Sequence, residues 1–138
     1  IAKLNAKKNK VGKKLKFIKS DLLKKFLRHT GNKMRDNIII ANLPYLSKKI
    51  YSQTPPDVKN FEPKSALLSG KHGLDHYEKL FIQMKSLKDK NSKLKAFLEI
   101  SPEQKTIINR LIKNHFPQAQ ISYKKDLSGK WRMVKILL

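Results

Sequence analysis

The chain has 138 residues, no cysteine and a formal net charge of +22. This length suits one small domain, and the lack of cysteine excludes a disulfide framework, a thiolate metal site and a cysteine nucleophile. No apolar run approaches the length of a membrane span and no signal peptide is visible, so a cytoplasmic protein with no membrane contact and no metal is expected.

Residues 1–10 read as the end of an amphipathic helix, with Ile1 and Leu4 on one side and Gly12 as a stop signal. The chain begins in mid-helix and without Met, so it is expected to be a piece of a longer protein. Leu15-Lys16-Phe17-Ile18 predicts a short strand. Ser20-Asp21-Leu22-Leu23 leaves it and opens a turn of helix, with Ser20 or Asp21 as the cap. Residues 29–36 form a polar loop. The β-branched run at 37–41 predicts a central buried strand.

Residues 46–72 hold the longest stretch without regular pattern, and Pro55, Pro56 and Pro63 forbid a continuous helix there. Loops this long are usually functional or disordered. This one follows directly on the turn at 42–45 and reads as a substrate-facing lid. Residues 74–87 predict a helix with the apolar stripe Leu74, Tyr77, Leu80, Phe81, Met84 and Leu87, and with Asp75 and Glu78 placed as a capping box. The stripe reads as core, not as cofactor contact. His72 and His76 alone have metal-like spacing, and Gly73 between them argues against a ligand role.

Residues 94–100 predict a strand. Ser101-Pro102-Glu103-Gln104 starts a helix, with Ser at the cap and Pro at the first helical position. It runs to about His115 and Pro117 ends it. Residues 121–123 and 131–137 form a terminal antiparallel hairpin across Asp126–Gly129. This order predicts an α/β fold with a mostly parallel sheet and one reversed strand near its end.

The predicted strand at 37–41 ends in Asn42-Leu43-Pro44-Tyr45. An amide and an aromatic ring in one turn suit the holding of a planar NH2 group. The Asn42 side-chain oxygen and the Leu43 or Pro44 carbonyl each accept one N–H, and Tyr45 packs on the flat face. The nitrogen lone pair then points outward to a methyl donor, through orientation and electrostatics alone. The tetrapeptide has the form of the (N/D/S)-P-P-(Y/F) signature of S-adenosylmethionine-dependent amino methyltransferases, with Leu43 in place of the first proline. An ordinary strand-to-loop exit would use Asn and Pro as well.

Further segments carry a closer resemblance. Ala2-Lys3-Leu4-Asn5-Ala6 is similar to an A-x-x-N-A helix, and Ser20-Asp21-Leu22-Leu23 to (G/S)-D-L-L. Phe61-Glu62-Pro63, Ala66-Leu67, Gly70 and Gly73-Leu74 follow the pattern F-E-P-x-x-A-L-x-x-G-x-x-G-L. Leu98-Glu99-Ile100 is similar to L-E-I-G with Ser101 for Gly, and Asp126–Arg132 to D-x-x-G-x-x-R. Together these resemble the release-factor glutamine N5-methyltransferases over nearly all 138 residues.

The resemblance implies the C-terminal part of a class I (Rossmann-like) methyltransferase sheet. It implies S-adenosylmethionine as cofactor, and methyl transfer to the glutamine amide in the G-G-Q motif of peptide-chain release factors. Asn42, Leu43, Pro44 and Tyr45 would bind the substrate amide, with Asn42, Pro44 and Tyr45 in the catalytic role. Asp21, Leu22 and Asn42 would lie at the cofactor, beside a pocket shared by the two segments. Glu62 would pin the long loop. The Gly-rich cofactor loop, the ribose-gripping acid and the N-terminal helical domain of the family do not occur in this sequence. Residues 1–138 are therefore expected to be one partial domain, inactive alone, with bare sheet edges. Adenine N6-methyltransferases of ribosomal RNA or DNA also carry N-L-P-Y and form the alternative, against which the F-E-P…G-x-x-G-L segment speaks.

Of the 32 basic residues only Arg28, Arg35, Arg110 and Arg132 are arginine. Nucleic-acid sites favour arginine for its bidentate geometry. The scattered lysines read first as the drift of an A/T-biased genome and second as a polyanion groove. In both cases they give non-specific, salt-sensitive polyanion binding.

Overall fold

The computed structural model describes residues 1–30, 36–87 and 93–138. In chain order the helices are α1 (Ala2–Lys8), α2 (Lys24–Thr30), α3 (Lys48–Ser52), α4 (Pro56–Phe61), α5 (Lys64–Leu67), α6 (Asp75–Lys85) and α7 (Lys105–His115). The strands are β1 (Asp36–Ala41), β2 (Lys93–Glu99), β3 (Gln120–Lys125) and β4 (Trp131–Leu137). They form one sheet in the order β1-β2-β4-β3. β1 and β2 are parallel, so the chain between them must cross over, and it does so through α6. β4 runs antiparallel to both β2 and β3. This is a mixed α/β sheet whose parallel pair is extended by an antiparallel hairpin.

The register sorts the side chains onto two faces. Ala96 lies opposite Ile39 and Ile136, and Leu98 opposite Ala41 and Val134. With Leu94 they make the inner face, which packs with Tyr77, Leu80, Phe81 and Met84 of α6 and Ile108 and Ile112 of α7 in one buried cluster. Each fully buried side chain of this size stabilises by roughly 1.5–3 kcal/mol. The predicted stripe of α6 is therefore core. The outer face carries Ile38 and Ile40 of β1, which are 65% and 82% exposed.

That exposure corrects the expectation of a central buried strand. β1 stands at the sheet edge, and its outer face is uncovered among the described residues. A β-branched run reports a pleated surface, not its depth in a sheet. The strand predicted at 15–18 is also absent. Residues 12–14 form a 3₁₀ turn, Leu15 is extended, and Leu15 and Phe17 are exposed with no strand partner among the described residues. An extended segment becomes a strand only when a neighbour pairs its backbone. The apolar side of α1 is likewise uncovered: Ile1 and Leu4 are exposed and only Ala6 is buried.

The stretch at 46–72 is more ordered than its pattern implied, with three helices of four to six residues. Ser47 caps α3, its hydroxyl accepting from the Ile50 N–H at 3.2 Å. The prolines divide the segment as expected: Pro55 precedes α4, Pro56 is its first residue, and Pro63 precedes α5. Of the polar loop expected at 29–36, residues 31–35 lie outside the described residues.

Candidate functional site

β1 ends at Ala41, and the Asn42–Tyr45 turn leaves it where the parallel strands end. Leu43 is buried in the core cluster, and Tyr45 packs against that cluster. Asn42 is exposed, and among the described residues its side chain has no hydrogen-bond partner. It is available to a substrate group. The Tyr45 hydroxyl lies 3.4 Å from Glu99 Oε1 at the end of β2. Burial, then the Glu99 charge, raises the Tyr45 pKa, so the phenol stays protonated at neutral pH. Tyr77 supports the same corner by donating to the Glu99 carbonyl at 2.6 Å.

The turn is zipped to the segment Leu67–Ser69. The Leu46 N–H donates to the Leu67 carbonyl and the Ser69 N–H to the Leu46 carbonyl, each at 2.9 Å. Two glycines follow, both with positive φ. A Cβ on Gly73 would overlap the Tyr45 carbonyl, and one on Gly70 would overlap the Asp75 carboxylate. The two glycines of G-x-x-G-L are thus places where backbone or carboxylate approaches too closely for any side chain. Gly73 joins the long segment to the Asn42–Tyr45 turn, and Gly70 seats the start of α6.

The capping of α6 differs from the expected box. Leu74 takes the cap position, and Asp75 is the first helical residue, set against Gly70. Ser69, fully buried, does the capping from upstream: its hydroxyl accepts from the His76 N–H at 3.0 Å and lies 2.7 Å from His76 Nδ1. Glu62 does not pin the loop. It is exposed, and its carboxylate makes no hydrogen bond or ion pair among the described residues. Beside the turn, a groove of about 540 Å³ lies between α3 and the start of α7, with Lys48, Lys49, Ile50, Lys71, Gln104 and Ile107 among its lining.

The Ser20–Leu23 turn docks elsewhere on α6. The Leu23 N–H donates to Gln83 Oε1 at 2.6 Å, and Asp21 pairs with Lys79 at 2.5 Å. The hydrogen bond from Lys79 lowers the Asp21 pKa. Ser20 caps α2, accepting from the Lys25 N–H at 2.9 Å. Leu22 has φ +51, a left-handed conformation costly for a branched side chain.

Ser20 and Leu22 line a cleft of about 350 Å³ whose opposite wall is Asn37–Ile40 of β1. The cleft runs along the edge of β1, and among the described residues its lining stops before Asn42. The structure therefore sets Tyr45 of this turn against Gly73 and Glu99, while Asp21 is held by Lys79 of α6. The residues present fit the adenine end of S-adenosylmethionine, with Leu22, Leu23 and Phe26 as apolar walls. Among the described residues, the cleft lining holds no carboxylate for a ribose and none for a charged amino acid tail.

Sequence reasoning missed Ser69, Gln83 and Gln104. Gln104 carried a signal, as the fourth residue of Ser101-Pro102-Glu103-Gln104, but the spacing announced only its bond within the helix start.

No family model matches the chain. It is 35% identical over 134 residues to the release factor glutamine methyltransferase of Bacillus cereus, covering 97% of this chain and 45% of that protein. The enzyme of the same name from Clostridium botulinum is 33% identical, with 96% and 45% covered. That of Dictyoglomus turgidum is 32% identical, with 99% and 46% covered. The chain spans about half the length of these relatives. A solved protein-(glutamine-N5) methyltransferase from Alicyclobacillus acidocaldarius aligns with a TM-score of 0.42 at 14% identity, over 87% of this chain and 93% of that one. Over nearly its whole length the chain is thus similar in sequence to release factor glutamine methyltransferases.

Proposed function

We propose that residues 1–138 form one partial methyltransferase domain. It supplies the substrate side of an enzyme that methylates the side-chain amide of the glutamine in the G-G-Q motif of release factors, in the cytoplasm. The observation that carries this is the docking of the Asn42–Tyr45 turn onto the Gly70–Gly73 turn, with the Tyr45 carbonyl against Gly73. That contact joins the general amino-methylating tetrapeptide to the more specific F-E-P…G-x-x-G-L segment. The Asn42 oxygen and the Leu43 or Pro44 carbonyl hold the two amide hydrogens, and Tyr45 supports the ring side of the site. S-adenosylmethionine supplies an electrophilic methyl group when bound.

The test is transfer from labelled S-adenosylmethionine by the polypeptide as its own cells make it. A G-G-Q peptide and an adenine-containing RNA are the two acceptors. Label on the peptide glutamine is expected. Label on RNA alone supports the adenine N6-methyltransferase reading, which the Asn42-Leu43-Pro44-Tyr45 turn favours, and overturns this one. The lysines add a weak, salt-sensitive attraction to polyanions.

A further inference from the structure

Gln104 is a buried amide, 3% exposed, where three segments meet. Its Oε1 accepts from the Ser101 N–H at 3.0 Å. Its Nε2 donates to the Gly73 carbonyl at 2.8 Å and to the Tyr45 carbonyl at 3.0 Å. The acceptor and both donors are engaged.

The helix start explains only one of these bonds. A capping box needs an acceptor in this position, and glutamate serves as well as glutamine. The two N–H bonds leave the helix and reach residues 31 and 59 positions away in the chain. They fix the peptide plane between Tyr45 and Leu46, whose N–H is in turn held by the Leu67 carbonyl. The Tyr45 carbonyl is thus held inward at the end of the turn, while Asn42 at its start is exposed. Gly73 completes the arrangement, since any side chain there would occupy the space of the Tyr45 carbonyl.

We propose that Gln104 is a positioning residue for the glutamine-binding turn. It acts through the Tyr45 carbonyl, and its amide nitrogen, not its capping oxygen, carries the role. This rests on the reading of the Asn42–Tyr45 turn as a glutamine amide site.

The test compares Gln104→Met with Ser101→Ala in the polypeptide as its own cells make it. Both weaken the start of α7, and only the first removes the bonds to Tyr45 and Gly73. Three quantities are measured: the melting temperature, calorimetric binding of a G-G-Q peptide against a G-G-E control, and the backbone carbonyl carbon resonance of Tyr45. Both variants are expected to melt earlier. Gln104→Met alone should shift the Tyr45 resonance and weaken peptide binding at least about tenfold, as misplacement of a binding group does. Peptide binding by Gln104→Met within about twofold of wild type, or an unmoved Tyr45 resonance, overturns the proposal. Should Gln104→Met fail to fold, Gln104→Asn keeps a neutral amide one methylene too short to hold both carbonyls, with the same outcomes. Absence of peptide binding by the wild type overturns the glutamine reading and the positioning role with it, whereas a normal wild type beside an unaffected Gln104→Met overturns the positioning role alone.

Discussion

The main-chain carbonyl of Tyr45 occupies the space that a Cβ on Gly73 would fill. Two motifs about thirty positions apart in the chain are thereby fitted to each other at the level of single atoms. Gly73→Ala should be strongly destabilising. Its φ of +74° penalises any side chain, and the added methyl meets backbone that cannot move aside. A left-handed alanine costs about 1–2 kcal/mol and overpacking about 1–3 kcal/mol more. Gly129 provides the comparison, with φ +78° but open space around its Cβ position. Urea unfolding should show Gly129→Ala losing only the backbone penalty. Equal losses for the two would mean that the approach of Tyr45 to Gly73 is not close.

Asn42→Ala separates binding from stability. The side chain is exposed and holds nothing in place among the described residues. Unfolding free energy should change by less than about 0.5 kcal/mol, as for surface substitutions in general. In the polypeptide as its own cells make it, transfer to the G-G-Q glutamine should fall by a factor of about 10² or more, the scale for loss of one preorganised polar partner. A variant that transfers at the wild-type rate would remove Asn42 from the site.

What could be read beforehand follows from how local each feature is. The hairpin at Asp126–Arg132 was legible because its turn is built from its own residues. The Asp126 carboxylate accepts from the Ser128 and Lys130 N–H groups and from Arg132 Nε, all at 2.9–3.0 Å. Ser101 and Pro102 announced α7 for the same reason. The edge position of β1, the unpaired state of residues 15–18 and the bonds of Gln104 to Tyr45 and Gly73 depend on partners far away in sequence. A single chain carries no local mark of them. The Asn42–Tyr45 turn lay between these cases: its residue types suggested a chemistry, and only the fold showed that its Tyr45 carbonyl is fitted against Gly73.

The hairpin turn also sets a pH dependence. Hydrogen bonds from Ser128, Lys130 and Arg132 hold the Asp126 pKa well below its usual value of 3.8. A carboxylate depressed in the folded state stabilises fully above its unfolded pKa, and that contribution is lost as pH falls through the folded value. The β3–β4 hairpin should therefore stay formed through the pH range where ordinary carboxylates titrate, and loosen only in stronger acid. Amide resonances of Ser128 and Lys130, followed down to pH 2, report it directly. Asp126→Asn should remove most of the dependence, and an unchanged acid transition in that variant would assign it to another group.

The last prediction concerns the cofactor. We expect no measurable binding of S-adenosylmethionine by the 138-residue chain alone. Leu22, Leu23 and Phe26 give the cleft apolar walls for an adenine, but among the described residues no carboxylate lines it. The acid expected nearest, Asp21, is already paired with Lys79 and is absent from the lining. Asn42 stands outside the cleft as well. A ribose diol and a charged methionine tail each demand hydrogen-bonding partners, worth about 1–3 kcal/mol apiece when one of the groups is charged. Micromolar affinity amounts to only about 8 kcal/mol in total, so losing several such bonds removes most of it. Calorimetry with S-adenosylmethionine on the folded monomer is the direct measurement. Clear micromolar binding would show that the cleft between Leu22 and β1 closes into a complete cofactor site, and that Asp21 exchanges Lys79 for the ligand.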